Sequence, residues 1–168
     1  MTEPVAAYLR GKVASADTVV SPITGARAAL IQWYLFARRP GDEFERLLDQ
    51  GLFGSGLLFR SFDGLVRVPT AGLKVYFAAA NATALLVPPQ LPEPYRKLAT
   101  TAEAHGCAAR GELHYRELLL MSGRPVRLRA TVGPIEGAGS YRVPGDAQYA
   151  VRDDLEAPTI SIDVAEMA

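Results

Sequence analysis

The sequence predicts a mainly β chain of the α+β class: one domain, 1–168, built as a small β-barrel or sandwich with one packed helix near 94–105. Three observations predict it. Short apolar runs alternate with polar residues at the period of half-buried strands. Gly and Pro punctuate these runs along the whole chain. One stretch, residues 94–105, keeps a helical period with start and stop signals. The sharpest local signal is residues 57–69, where runs 57–62 and 65–68 meet at Asp63-Gly64. Asp-Gly between apolar runs predicts a hairpin with a type I′ turn, whose two central residues need positive φ.

Residues 8–14 read as a first strand, with Leu9 and Val13 on one face and Arg10 and Lys12 on the other. Val19-Val20 leads into Ser21-Pro22-Ile23-Thr24-Gly25, a turn fixed by its Pro and Gly. Residues 28–37 are apolar on both faces, which predicts a central strand. Residues 40–51 read as a short helix or ordered loop: Asp42 and Glu45 have capping-box spacing, Phe44, Leu47 and Leu48 form an apolar face, and Gly51 ends it. After the 57–69 hairpin, 73–77 and 85–87 are further strands. In the helix, Pro94 occupies the first turn, Leu91, Tyr95, Leu98 and Ala102 share a face, and Gly106 stops it. Residues 113–120 and 125–132 are strands joined at Ser122-Gly123. Residues 133–158 form a Gly/Pro-rich and acidic connector within the domain. Residues 149–151 and 159–164 close the sheet, with Ile160, Ile162 and Val164 inward.

A chain of 168 residues buries about 70% of its unfolded surface. Hydrophobic residues are 49% and charged residues 21%, an ordinary globular balance. Lys plus Arg and Asp plus Glu are both 18, so net charge gives no generic attraction to nucleic acid or anionic membrane. The most apolar run is interrupted by Gln32 and falls short of the ~20 residues of a membrane helix. The single cysteine, Cys107, excludes an intrachain disulfide and suits a reducing compartment. The expected location is cytoplasmic, with membrane contact only through a partner.

Nucleophilic catalysis needs a nucleophile, a base and an orienting group. The two histidines, His105 and His114, read as structural or solvent-facing, and Cys107 as a small buried hydrophobe. No phosphate-binding glycine loop, nucleophile elbow or metal-ligand spacing occurs, and Asp153-Asp154 reads as a solvated acidic loop. The expectation is a non-enzyme without cofactor or metal.

Charge is unevenly spread. Arg110, Arg116, Arg124, Arg127 and Arg129 fall within twenty residues, opposed there by Glu112 and Glu117. If Arg116, Arg127 and Arg129 share the outward face of paired strands, they form a basic stripe for phosphate, nucleic acid or an acidic partner, with Tyr115 as a stacking surface. The same arginines also fit a solvated face that pairs with the chain's own acidic tail.

Several stretches together resemble the GIDE domain, also called the beside-a-membrane domain, of membrane-anchored mitochondrial ubiquitin ligases and bacterial relatives. These are Gly11-x-Val13, Ser21-Pro22-Ile23-Thr24-Gly25 before Trp33-Tyr34, the hairpin segment 62–69, and Glu117-x-x-Leu120-x-x-Gly123 before the 125–132 strand. Pro158-Thr159-Ile160-Ser161 closes the series, in the same order, across residues 8–164. The chain has Ala28 and Ala29 where the family often has Cys, and lacks the Cys/His set of a RING. The resemblance therefore implies the non-catalytic part: a sensing or protein-binding module, an adaptor in a larger assembly, in bacteria associated with ubiquitin-like or defence pathways. A nucleotide- or nucleic-acid-binding barrel using Arg116, Arg124, Arg127 and Arg129 is the alternative. Ser21, Pro22, Thr24, Gly25, Asp63, Gly64 and Gly123 are read as determinants of turns.

Overall fold

A computed structural model describes residues 7–76, 82–88, 90–106, 112–135, 147–152 and 158–162. In chain order, β1 (Ala7–Val13) is followed by β2 (Val19–Val20) and β3 (Arg27–Ala28), which flank the 21–25 turn. Next come β4 (Leu30–Arg38), β5 (Arg46–Phe53), β6 (Gly56–Ser61), β7 (Gly64–Pro69), β8 (Lys74–Tyr76) and β9 (Ala82–Val87). Helix α1 (Arg96–Ala104) precedes β10 (Glu112–Leu120), β11 (Pro125–Ala130), β12 (Val132–Pro134), β13 (Tyr149–Val151) and β14 (Thr159–Ile162). The chain is thus mainly β with one helix among the described residues, as the alternation and the lone helical period predict.

The strands form two main sheets. One has eight strands in the order β12-β13-β7-β6-β1-β11-β14-β8, and it curls without closing, since β12 and β8 remain its edges. The other has four strands, β5-β4-β10-β9, all antiparallel. Alternation decides which side each residue faces. Val13, Phe59, Val66, Val68, Val126 and Leu128 point to the inside of the curl and build the first core with Leu30 and Leu120 of the smaller sheet. A second core lies on the opposite side of the four-stranded sheet, where Leu35, Ala37, Leu48, Leu113 and Tyr115 meet Leu98 and Ala102 of α1. β4 is therefore buried on both faces, which explains its uninterrupted apolar run.

The helix matches its sequence signals: Leu98 and Ala102 are its buried residues, Leu91 and Tyr95 pack on the same core, and Gly106 beyond it has φ 66°. The expectation for residues 40–51 is overturned. Residues 46–53 form β5, paired along β4, and a register shift lets Leu47 lie opposite Phe36 while Leu48 turns inward. Asp42 closes a turn to Arg39 instead of capping a helix, and Gly51 lies opposite Trp33 in mid-strand. The two adjacent leucines would share a helical face, but in a strand successive side chains point to opposite sides.

The hairpin is present, but its turn is shifted by one residue. Ser61 pairs with Gly64, so Phe62 and Asp63 are the turn residues. Among the described residues none other than glycine has positive φ, and Phe62 and Asp63 are among them, which excludes type I′. Gly64, at φ 139°, takes the conformation that L side chains avoid, and Phe62 stands fully exposed at the tip. The 125–132 strand breaks at Thr131, whose carbonyl accepts the Arg152 N–H at 2.8 Å, and β12 then pairs with β13. The start of the expected connector is therefore strand. The inward set expected at Ile160, Ile162 and Val164 lies outside the described side chains, as Cys107, Asp153 and Asp154 lie outside the described residues.

Candidate functional site

The 21–25 turn is held by one buried carboxyl group. Ser21 Oγ accepts the Ile23 and Thr24 N–H groups at 3.0 Å each, and the Gly25 N–H reaches the Ser21 carbonyl at 3.1 Å. The two hydroxyls then donate outward to Glu117: Ser21 to Oε1, and Thr24 to Oε2 at 2.5 Å. Tyr115 donates to the same Oε1 at 2.7 Å. Glu117 is 1% exposed, so this carboxyl exchanges water for three hydroxyl donors. Burial and the neighbouring Glu117 push the Tyr115 phenol far above its ordinary value, so it stays a donor. Trp33 stacks on Tyr115 at 6.3 Å and on Phe53 at 6.1 Å. The cluster is sealed, and its chemistry is that of a clasp between β10 and the turn.

The opposite face of the four-stranded sheet is covered along only part of its length. At one end it packs on the curled sheet; towards the other end the two diverge and leave a cleft of about 490 Å³. Gln32, Tyr34, Gln50 and Leu52 form its floor, and Thr70, Lys74 and Tyr76 line its wall. Burial raises the Tyr34 phenol, which keeps it protonated. Beside the cleft, Tyr34 stacks with Phe36 at 6.0 Å, and the Arg116 guanidinium lies 4.8 Å from the Phe36 ring centre. Glu45 fixes this lip: Arg116 Nη2 donates to its Oε2 at 2.6 Å, and its Oε1 meets His114 Nδ1. Glu112 lies 3.8 Å from the other ring nitrogen of His114.

The hydrogen bond from His114, with the Arg116 charge, holds the Glu45 carboxyl below its ordinary value despite partial burial. A carboxyl depressed in the folded state contributes stability above its unfolded pKa of about 4.3, and this is lost as pH falls through the lower folded value. Melting curves of the wild type and Glu45→Gln should therefore differ by on the order of 1 kcal/mol near pH 6 and converge in that acid window. A difference that persists at lower pH would sink the assignment.

The arginines of the expected stripe are separated. β10 pairs with β4 and β9, whereas β11 pairs with β1 and β14, so Arg116 lies on one sheet and Arg127 and Arg129 on the other. Tyr115 is fully buried and offers no stacking surface to a ligand. Arg124 belongs to the turn between β10 and β11, where its carbonyl accepts the Val13 N–H at 3.0 Å and Gly123 N–H reaches the Val13 carbonyl at 2.8 Å. Arg127 and Arg129 instead lie opposite Arg10 and Tyr8 of β1. Sequence reasoning missed the cleft and the clasp. One signal for the clasp existed: Glu117 falls on the inward parity of Leu113 and Tyr115.

Among the described residues, no helix is long and apolar enough to cross a membrane, and no cluster of three His, Cys, Asp or Glu could hold a metal ion. Compared with protein-family models, curated proteins and solved structures, the chain returns no match.

Proposed function

We propose that this chain is a non-catalytic protein-binding module, an adaptor that receives an extended polypeptide segment in the cleft between its two sheets. The observation that carries the reading is that, among the described residues, two edge strands border the cleft, β5 in its floor and β8 in its wall. β5 ends the four-stranded sheet, β8 ends the eight-stranded sheet, and residues of both line the cavity. An edge strand offers unpaired main-chain groups to an added strand, while the pocket beside it selects side chains. Tyr34, Tyr76, Phe36 and Arg116 supply the aromatic and guanidinium groups that concentrate binding energy at protein interfaces.

The resemblance to the GIDE domain supports the same reading, since two of its separate motifs meet here as Ser21 and Thr24 on Glu117. A peptide-display selection against the full chain tests it. Selected peptides should lose about tenfold or more in affinity to the Tyr34→Ala protein, with its melting temperature retained. Selection that yields no peptide, or peptides indifferent to Tyr34→Ala and to Gln50→Lys, removes the cleft as the binding seat.

A further inference from the structure

We propose that the outer face of the eight-stranded sheet binds single-stranded nucleic acid, tracking its phosphates with cationic side chains and stacking a base on Tyr8. The first ground is segregation of charge. The chain as a whole is neutral, yet the eight strands of this sheet contain no Asp or Glu. They do contain Arg10, Lys12, Arg60, Arg67 and Lys74, all exposed, together with Arg127 and Arg129.

Pairing places these cations on one side. Arg10 lies opposite Arg127, Lys12 opposite Arg60, and Tyr8 opposite Arg129, so each pair projects from the same face. Residues of the opposite parity, Val13, Phe59, Val66 and Leu128, fill the first core. None of Arg10, Lys12, Arg60, Arg67 or Lys74 forms an ion pair among the described residues. Like charges set directly opposite one another destabilise a bare sheet, and a polyanion laid across them reverses that sign.

Two further features favour a single strand over a duplex or a membrane. Tyr8 is 76% exposed, with the Arg129 guanidinium 5.6 Å from its ring centre. A ring and a guanidinium among cations form the platform on which unpaired bases stack. The core fills the inside of the curl, so the cationic face is its convex side, over which a flexible strand can drape and a rigid duplex cannot.

Fluorescence anisotropy of the full chain with a labelled single-stranded oligonucleotide of about 12 nucleotides tests the proposal. Affinity should fall with salt. The Arg10→Glu, Lys12→Glu protein should bind at least about tenfold more weakly, with a salt slope shallower by about 1.4 or more for the two lost cations. Arg60→Glu with Arg67→Glu, both outside the cleft lining, is an independent second pair with the same expected direction. Tyr8→Ala should weaken binding about tenfold and leave the slope unchanged. Tyr34→Ala, in the cleft, should leave oligonucleotide binding intact, which separates this surface from the peptide seat. Absence of binding at low salt, indifference to both charge reversals, preference for the duplex, or capture by phosphatidylserine vesicles without oligonucleotide binding would each overturn the proposal.

Discussion

Glu117→Ala should lower the stability of the fold by about 3 kcal/mol, a large share of the 5–15 kcal/mol typical of a domain. The substitution leaves Ser21 and Tyr115, both buried, with hydroxyls that have lost their common acceptor. An orphaned buried polar group costs about 1–3 kcal/mol, and the emptied volume adds to it. Glu117→Gln should cost less, about 1 kcal/mol, because its carbonyl oxygen can still accept from Ser21 and Tyr115. Chemical denaturation gives the size of the loss, and the near-ultraviolet dichroism of Trp33, stacked on Tyr115, reports where it occurs. If Ala and Gln proteins are equally stable, the clasp is not what holds the turn to β10.

Gly11→Ala should be nearly as costly, about 3 kcal/mol, for a steric reason. A Cβ at Gly11 would sit 2.1 Å from the Arg60 carbonyl oxygen and 2.7 Å from Phe59 Cζ. Truncating Phe59 relieves the second contact but not the first, because the first is backbone. Phe59→Leu should therefore fail to rescue Gly11→Ala, and hydrogen exchange should show the β1–β6 ladder opening first. Rescue by Phe59→Leu would mean that the main chain can yield there, contrary to this expectation. The outer face proposed for nucleic acid depends on that ladder, since it sets Lys12 opposite Arg60.

The two proposed surfaces meet at Lys74 of β8 but otherwise use different residues and rest on different physics. The cleft offers strand edges and aromatic rings with the Arg116 charge already met by Glu45. The outer face offers cationic side chains at strand spacing on a sheet whose strands carry no acid. Variants confined to one surface therefore test it without disturbing the other.

How far the sequence was legible varies with the range of the interactions. Alternation identified β11 and the inward parity of Val126, Leu128 and Ala130, because a strand with one buried face writes its period into the chain. The helix was legible for the same reason, through Leu98, Ala102 and Gly106. The turn at 21–25 was legible because Ser, Pro, Thr and Gly bias the local backbone. β5 was not: ordinary strand alternation sends Leu47 and Leu48 to opposite faces, and the pairing with β4 that makes this segment a strand, with its irregularity between Leu35 and Phe36, joins distant residues. Nor was the hairpin register, which moved the turn onto Phe62-Asp63 although Asp-Gly was present.

By itself, then, the chain determined its class, its helix and most of its strands, since these follow from periods and turn residues a few positions apart. Tertiary structure decided everything that joins distant segments. It set Ser21 against Glu117, 96 residues away, and Glu45 against Arg116, 71 residues away. It also sent β10 and β11 to different sheets, which separated Arg116 from Arg127 and Arg129 and put Arg10 and Tyr8 beside the latter two. Strand order arises from which apolar faces can be buried together, and no local pattern of residues encodes that choice.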